Sequence, residues 1–233
     1  MPVFLLSDPV GFPPPHLASD SGLLAVGGDL HTERLLTAYA MGIFPWYSRG
    51  EPILWWSPDP RLVLYPSELH ISRRLQRTMR QSRFEVTVDR DFDAVIRHCA
   101  DAPRAQGPGT WIVEEMIGAY RKLHAEGYAH SVEAWRGSEL AGGLYGVCLG
   151  HCFFGESMFA RIRDASKVAF VHLVRGLHRK GCRLIDCQVT SEHLKRLGAR
   201  EIPRSTFLRE LKAVLNAPTF RGPWADAEFQ LHA

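Results

Sequence analysis

The chain has 233 residues, of which 45% are hydrophobic and 23% are charged, and its formal net charge at pH 7 is +3. These proportions are ordinary for a globular protein, and the length suffices for one large domain or two modest ones. No apolar run approaches the length of a membrane span, and no signal-peptide pattern opens the chain. We therefore expect a cytoplasmic protein that does not enter a membrane.

The five cysteines indicate the redox environment. An odd number fits a reducing compartment better than a disulfide framework. Cys148, His151 and Cys152 are close in sequence, but no second pair at zinc-finger spacing accompanies them. We predict buried free thiols and no metal site.

The N-terminal part of the chain is predicted to contain an extended segment, a turn and one helix. FPPP at 12–15 indicates the extended segment, and GLLAVGGDL at 22–30 indicates a glycine-rich turn. A helix is predicted over 32–41, with Thr32 as its N-cap. Its predicted inward residues are Leu35, Leu36, Tyr39 and Ala40.

Residues 42–61, GIFPWYSRGEPILWWSPDPR, combine five aromatic residues with four prolines. Such a stretch is predicted to be neither a regular helix nor a central strand. A rigid, irregular aromatic surface can stack a planar ligand such as a nucleobase. The alternative, which composition alone favours, is a small aromatic core under a long loop.

Residues 61–83 carry six arginines against one acid. A helix over 71–82 places Arg73, Arg77 and Arg80 on one face, and it places Ile71, Leu75 and Met79 on the opposite face. A surface helix usually mixes both signs of charge. An all-arginine face therefore points to a partner with a phosphate backbone, with a solvated helix as the alternative.

The remainder of the chain alternates between predicted helices and strands. Strands are predicted at 84–89, 130–136, 139–150, 151–159, 183–189 and 201–204, and helices at 91–100, 113–126, 166–180, 191–199 and 206–216. The three successive strands after residue 129 describe an antiparallel meander. The order predicts an α+β fold with a mixed sheet and helices on both faces.

This order of elements resembles the fold of the GCN5-related N-acetyltransferases (GNAT). That fold holds a pantetheine pyrophosphate on a glycine-containing turn after its central strand. The corresponding segment here, ARIRDASKVAF at 160–170, contains no glycine. Acetyl-CoA is therefore disfavoured as the acyl donor, and we expect no cofactor.

Two motifs place carboxylates and an amide within the predicted sheet. FFGESMF puts Glu156 among apolar residues at the end of a strand, and LIDCQ puts Asp186 and Gln188 two residues apart. The period of two in a strand predicts that Asp186 and Gln188 share one face. Buried carboxylates are costly unless they are paired, so the three residues form a candidate site. The alternative is that they satisfy nearby arginines or loop amides.

Ten motifs taken together identify a family. In chain order they are GLLAVGGDL, AYAMGIFPW, ILWWSPDPR, HISRR, GTWI, AHSVEAW, GGLYGV, GESMF, ASKVA and LIDCQ. The set closely resembles the leucyl/phenylalanyl-tRNA–protein transferases over residues 12–207. The resemblance implies transfer of Leu or Phe, and less well Met, from tRNA to proteins that begin with Lys or Arg, which directs them to the N-degron pathway. It also implies a small N-terminal domain, 1–63, packed on a GNAT-like catalytic domain, 64–233; we expect a monomer.

The same resemblance implies roles for individual residues. Asp186, Gln188 and Glu156 correspond to catalytic positions, and Trp46, Trp111 and Tyr39 to positions that bind the aminoacyl-adenosine. The side-chain pocket corresponds to Leu144, Phe153, Met158 and Ile185, and the tRNA-binding helix to Arg73, Arg77 and Arg80. Leu144 stands where the family pattern has Met. Trp55 and Trp56 are expected to be scaffold.

The implied reaction is aminolysis of an activated ester, so positioning matters more than a strong base. The carbonyl of Gln188 can accept a hydrogen bond from the attacking amine, with Asp186 holding the NH2 end of the same amide. Glu156 suits recognition of the cationic acceptor or orientation of the donor. Proton transfer through the tRNA ribose is an alternative to the Gln188 relay. Rival functions are a CoA-dependent N-acyltransferase and a non-catalytic RNA-binding adaptor.

Overall fold

The computed structural model describes residues 3–7, 10–102 and 112–224. Within these ranges the chain forms a mixed α+β structure with one four-stranded and one seven-stranded sheet. No helix in these ranges combines the length and apolar character needed to cross a membrane.

The four-stranded sheet is built from the N-terminal part of the chain. Its strands are β1 (Phe4–Leu6), β2 (Leu23–Gly27), β3 (Phe44–Pro45) and β4 (Leu54–Trp56), in the spatial order β1-β2-β4-β3. Helix α1 (Thr32–Ala40) connects β2 to β3, which confirms the predicted helix, but its N-cap is His31 and not Thr32. Of its predicted inward residues, Leu35 and Tyr39 are buried, Leu36 is half-buried and Ala40 is exposed.

Two predictions about this part of the chain are wrong. The glycine-rich stretch contains a strand, because β2 pairs with both β1 and β4. The proline-rich segment contains a central strand, because β4 lies between β2 and β3. Pro52 and Pro58 flank β4 without interrupting it, so the backbone groups of Leu54–Trp56 stay available for pairing.

Helix α2 (Arg73–Arg80) is amphipathic, as predicted. The Ser72 side chain caps its first turn by accepting a hydrogen bond from the backbone N–H of Leu75 at 3.3 Å. Leu75 is buried, and Ile71 and Met79 are half-buried against the same apolar cluster. The exposed residues of the opposite face include Arg73, Arg77 and Arg80.

The seven-stranded sheet has the order β11-β5-β10-β9-β8-β7-β6. Its strands are β5 (Arg61–Leu64), β6 (Glu85–Val88), β7 (Ala129–Arg136), β8 (Glu139–Leu149), β9 (Cys152–Ala160), β10 (Leu184–Gln188) and β11 (Arg200–Ile202). Strands β7, β8 and β9 form the predicted antiparallel meander. The proposed domain boundary after residue 63 falls inside β5, and the division into two domains stays a prediction.

Parallel pairing brings β10 beside β9. Helix α5 (Ala165–Arg179) connects the two strands, as a parallel crossover requires. Strand β5 then inserts between β10 and β11 and is antiparallel to both. The first residues after the proline-rich segment therefore lie next to the LIDCQ strand.

Helices cover both faces of the larger sheet, as predicted. Helices α3 (Phe92–Asp101), α4 (Glu114–Ala125) and α7 (Arg204–Val214) contribute to one apolar cluster, and α2 and α5 contribute to the other. Helix α6 (Glu192–Lys195) is shorter than predicted. Soon after it Gly198 adopts a φ of 103°, a non-helical conformation that suits glycine.

All five cysteines are free and buried, which confirms the prediction about their state. Burial raises the pKa of the Cys182 thiol to about 12. Burial likewise raises the pKa of Cys148, Cys152 and Cys187, so these four thiols stay protonated at neutral pH and act as small apolar groups in the core.

Candidate active site

A cavity of about 350 Å³ lies against strands β8, β9 and β10 of the larger sheet. Helix α5 and the segment Phe44–Trp46 also contribute to its lining, as do residues 189–194 after β10. The cavity is thus lined by residues from the N-terminal four-stranded sheet as well as from the larger sheet. Its size and mostly apolar lining are typical of a small-molecule site.

The four residues predicted for a side-chain pocket all line this cavity. Leu144 of β8 lies opposite Met158 of β9, and Phe153 of β9 lies opposite Ile185 of β10. Helix α5 adds two more apolar residues, Phe170 and Leu173. This part of the cavity is suited to an apolar side chain, and its assignment to the donor amino acid stays a prediction.

Glu156 supplies a carboxylate to the same cavity. Its Oε1 accepts hydrogen bonds from the Tyr39 hydroxyl and from Gln188 Nε2, both at 2.8 Å, and its Oε2 accepts one from the Tyr120 hydroxyl at 2.8 Å. Burial raises the pKa of Glu156 to about 7, although these three hydrogen bonds oppose the rise. Both protonation states of Glu156 are therefore accessible near neutral pH.

A β-bulge decides which residues of β10 face the cavity. Between Asp186 and Gln188 the register against β5 shifts by one residue. Gln188 adopts a left-handed φ of 63°, a conformation that costs a non-glycine residue roughly 1–2 kcal/mol. Gln188 consequently joins Ile185 and Cys187 in lining the cavity, whereas Asp186 points toward Arg61. The prediction that Asp186 and Gln188 share one face is wrong, because the bulge breaks the period of two.

Asp186 forms a two-point ion pair with Arg61. Arg61 Nε donates to Asp186 Oδ1 at 2.8 Å, and Arg61 Nη2 donates to Asp186 Oδ2 at 2.6 Å. Both residues have 0% of their surface exposed. The guanidinium also lies over the rings of Phe44 and Phe207, with its central carbon 4.8 and 4.6 Å from their centroids.

The predicted contact between Asp186 and the amide NH2 of Gln188 is also wrong. That NH2 group donates to Glu156, and Asp186 Oδ1 instead accepts the backbone N–H of Gln188 at 2.9 Å. The cause is again the bulge, which turns the Gln188 side chain toward β9. Of the three predicted catalytic residues, Glu156 and Gln188 therefore form one hydrogen-bonded pair at the cavity, and Asp186 lies behind it.

The tryptophans of the proline-rich segment occupy different positions. Trp46 lines the cavity, and its carbonyl accepts a hydrogen bond from Trp56 Nε1 at 2.7 Å. Trp55 is fully buried and donates its Nε1–H to the Gly27 carbonyl at 2.8 Å. The expectation that Trp55 is scaffold is confirmed, and Trp56 is held against Trp46 with ring centroids 5.7 Å apart.

The other two residues predicted to bind the aminoacyl-adenosine are Tyr39 and Trp111. Tyr39 has 0% of its surface exposed, and its hydroxyl contacts both Glu156 and the Tyr120 hydroxyl. Tyr39 thus holds the Glu156 carboxylate from the protein interior and does not itself line the cavity. Trp111 lies outside the described residues.

The arginine face of α2 lies at the surface. Arg73, Arg77 and Arg80 are exposed, and the neighbouring Arg74 pairs with Asp164 through an Nη2–Oδ2 contact of 3.2 Å. Asp164 directly precedes α5, which lines the cavity. The ion pair between Arg74 and Asp164 therefore links α2 to the start of α5, the helix that contributes to the cavity lining. The binding of tRNA to α2 stays a prediction.

Sequence reasoning did not select Arg61 or Tyr120. In the sequence, Arg61 is one of the six arginines of residues 61–83, and Tyr120 lies within the helix predicted over 113–126. Each of them is a polar side chain among buried apolar neighbours. Arg61 begins the buried strand RLVL, and Tyr120 lies three residues after Ile117 on the buried face of α4. Their partners are 125 and 36 residues away, so local patterns carried no direct signal.

Within the described ranges, no group of three or more His, Cys, Asp or Glu side chains is arranged to hold a metal ion.

Comparisons with known proteins agree on one family. A family model described as leucyl/phenylalanyl-tRNA protein transferase matches residues 63–212, and one for the N-terminal domain of the same proteins matches residues 28–59. A protein of that name from Anaeromyxobacter sp. (strain Fw109-5) is 62% identical over 96% of this chain and 95% of its own length. Another from Syntrophobacter fumaroxidans is 62% identical over 89% of each chain.

Among solved structures, L-PGS from Bacillus licheniformis is similar over 72% of this chain and 54% of its own. The TM-score is 0.41 and the sequence identity is 10%. This similarity is too weak to support a conclusion about fold or function.

Proposed function

The chain belongs to the family of leucyl/phenylalanyl-tRNA–protein transferases, and we propose that it transfers Leu or Phe, and less well Met, from tRNA to the N-terminal Lys or Arg of acceptor proteins. The acceptor gains a residue that makes its N-terminus destabilising and directs it to the N-degron pathway. The observation that carries this proposal is that an apolar pocket and the pair of Glu156 and Gln188 line the same cavity.

The apolar part of the cavity suits the donor amino acid. Leu144, Phe153, Met158 and Ile185 present carbon and sulfur surfaces that reward burial of Leu, Phe or Met. A purely apolar pocket separates near-isosteres by only about 10–200-fold. Rejection of Ile and Val therefore depends on shape close to Cβ, where β-branching adds width.

In the proposed reaction, the neutral α-amine of the acceptor attacks the ester carbonyl carbon. A C–N bond forms, the C–O bond to the ribose breaks, and the amine proton is lost as the ribose oxygen gains one. The reference pKa of an α-amine is about 7.7–8.0, so roughly a tenth is neutral at pH 7 without any base. Positioning is therefore the main task of the protein.

Gln188 and Glu156 are proposed to do this positioning. The amide NH2 of Gln188 is occupied by Glu156, which leaves the amide oxygen to accept a hydrogen bond from the attacking amine. When ionised, Glu156 also attracts the cationic acceptor, and its pKa of about 7 allows that state at neutral pH. Asp186 acts behind them, through the backbone of Gln188.

Trp46 and Trp111 are proposed to flank the terminal adenosine of the tRNA. Trp46 lies at the cavity, and the hydrogen bond from Trp56 to its carbonyl fixes the backbone at this point. Stacking of a base on an aromatic ring contributes about 1–3 kcal/mol. The rigid proline-rich segment thus supplies one wall of the aminoacyl-adenosine site, and Tyr39 supports that site indirectly through Glu156.

Arg73, Arg77 and Arg80 on α2 are proposed to contact phosphates of the tRNA acceptor stem. We predict that Arg77→Ala weakens tRNA binding and flattens the salt dependence of the dissociation constant by about one unit of log–log slope. The matched control is Arg136→Ala, since Arg136 is also exposed but lies at the end of β7, outside α2. Fluorescence titration of labelled tRNA at several salt concentrations measures both effects, and an unchanged slope for Arg77→Ala would remove α2 from the interface.

The wider assignments follow from the same proposal. We assign residues 1–63 to a small N-terminal domain and 64–233 to a catalytic domain of the GNAT type. Three antiparallel strands, a helix and a parallel strand support that fold type. A tRNA substrate also places the protein in the cytoplasm, and we propose that it acts as a monomer.

One assay tests the function. Purified protein receives labelled Leu-tRNA, Phe-tRNA or acetyl-CoA, together with peptides that begin with Arg, Lys or Ala and a peptide whose N-terminus is acetylated. We expect label from both aminoacyl-tRNAs on the Arg and Lys peptides, and none on the acetylated peptide. Label from acetyl-CoA alone would indicate a CoA-dependent enzyme, and label from no donor would favour an RNA-binding adaptor; either result refutes the proposal.

A further inference from the structure

Arg61 is a fully buried cation that contacts Asp186 directly. The proposed mechanism gives Arg61 no role so far. It occupies the first position of β5, directly after the last proline of the proline-rich segment. Two aromatic rings lie against its guanidinium, and two of its nitrogens bind the two oxygens of Asp186. This arrangement fixes the orientation of the carboxylate as well as its charge.

The oriented carboxylate in turn holds the backbone of Gln188. Asp186 Oδ1 accepts both Arg61 Nε at 2.8 Å and the Gln188 N–H at 2.9 Å. The second bond spans the bulge at which Gln188 adopts its left-handed φ of 63°. A non-glycine residue persists in such a conformation only where its surroundings enforce it.

The backbone conformation then determines where the Gln188 amide lies. With the bulge, Gln188 lines the cavity and its Nε2 reaches Glu156 Oε1 at 2.8 Å. Regular alternation would place Gln188 on the same side as Asp186, away from Cys187 and the cavity. The contacts therefore run in sequence from Arg61 to Asp186, to the Gln188 backbone, and to the Gln188 side chain.

We propose that Arg61 is a positioning residue for aminoacyl transfer, and that it acts through Asp186 and the bulge to aim the Gln188 amide into the cavity. The inference rests on the proposed function, because it assigns Arg61 a role in that same reaction. It also gives Asp186 a different role from polarising the Gln188 amide, since the Asp186 carboxylate contacts the Gln188 backbone and not its side chain.

Lysine cannot reproduce this role. An ammonium has the charge of a guanidinium, but it lacks the planar fork that binds two carboxylate oxygens at once. Arg61→Lys therefore keeps the buried charge and loosens the orientation of Asp186. We expect kcat to fall about 10–100-fold per folded molecule, while KM for Leu-tRNA changes less than about threefold.

A double-mutant cycle separates positioning from general damage. If Arg61 acts only through the Gln188 side chain, then Arg61→Lys lowers kcat by less than about twofold when Gln188→Ala is already present. The matched control is Arg34→Lys, because Arg34 is likewise fully buried and pairs with Asp29 at 3.0 Å, far along the chain from β10. The control is expected to keep kcat within about twofold of the wild-type value.

A second variant covers the case in which Arg61→Lys does not fold. Arg61→Met combined with Asp186→Leu removes both charges, a replacement that buried ion pairs often tolerate. It is expected to show the same loss of kcat and the same lack of further loss with Gln188→Ala. Losses that multiply in either cycle, or an Arg34→Lys loss as large as that of Arg61→Lys, would overturn the role of Arg61. A wild-type protein that transfers nothing would instead refute the proposed function itself.

Discussion

Glu156 and Asp186 are two buried carboxylates on neighbouring strands, and different kinds of partner stabilise them. Glu156 is 8% exposed and Asp186 is 0% exposed. Asp186 meets a guanidinium with both of its oxygens, whereas Glu156 meets two tyrosine hydroxyls and one amide, all of them neutral. Asp186 is therefore paired with an opposite charge, whereas Glu156 is stabilised only by hydrogen bonds from neutral groups.

This difference in partners explains why Glu156 can change its protonation state near neutral pH. Burial raises the pKa of Glu156 to about 7, and the negative charge of Asp186 contributes to the rise. Asp186 has a cation in direct contact, so its negative charge is compensated where it lies. The site therefore combines two features. The ion pair of Arg61 and Asp186 holds the backbone of Gln188 in place, and Glu156, with a pKa of about 7, faces the cavity.

Removing the fixed carboxylate is expected to have the largest effect. Asp186→Ala leaves Arg61 buried without its partner, and breaking a buried pair in this way costs about 3–5 kcal/mol. We also expect turnover to fall far more than tRNA affinity, because Gln188 loses the acceptor of its backbone N–H. Urea unfolding, steady-state kinetics and tRNA titration measure the three quantities, with Asp29→Ala as the control for loss of another arginine partner. Equal losses in turnover and tRNA affinity would make Asp186 purely structural.

Neutralising the poised carboxylate is expected to have a smaller and pH-dependent effect. Because the folded-state pKa of Glu156 is raised from 4.5 to about 7, folding favours its protonated form. Relative to Glu156→Gln, the wild-type protein should lose stability as pH rises from about 4.5 to about 7, by up to about 3 kcal/mol, and then level off. Urea midpoints of both proteins between pH 5 and pH 8 give the difference. If the wild-type protein instead gained stability relative to Glu156→Gln as pH rises, the pKa of Glu156 would not be raised by burial.

Much of the fold behind this comparison follows from local patterns. The apolar periodicity of α2, the helix α1 and the antiparallel meander of β7, β8 and β9 are all readable along the chain. The motif resemblance also selected four of the apolar residues that line the cavity. These features depend on neighbours in sequence or on a recognisable set of motifs.

The two carboxylates differ through features that have no local signal. The bulge at Gln188 replaces a regular strand, although LIDCQ contains no glycine to mark a left-handed residue. The ion pair joins residues 125 positions apart. Tyr120 likewise reaches Glu156 from a helix whose sequence indicates only an apolar face. Such contacts depend on how the sheet and helices assemble, and local sequence patterns do not reveal that assembly.

The smallest expected effect comes from one hydroxyl of the Glu156 environment. Tyr120→Phe removes one hydrogen-bond donor to the carboxylate, which should cost about 1 kcal/mol of stability at pH 8, where the ionised form uses that donor most. This hydrogen bond lowers the pKa of Glu156, so its loss should raise that pKa. The pH at which stability relative to Glu156→Gln is half lost should therefore move upward. Tyr145→Phe is the matched control, since its ring packs edge-on against Tyr120 at 5.5 Å and the substitution leaves the donors of Glu156 in place. A midpoint that moves equally in both variants, or downward in Tyr120→Phe, would mean that packing and not hydrogen bonding sets the protonation of Glu156.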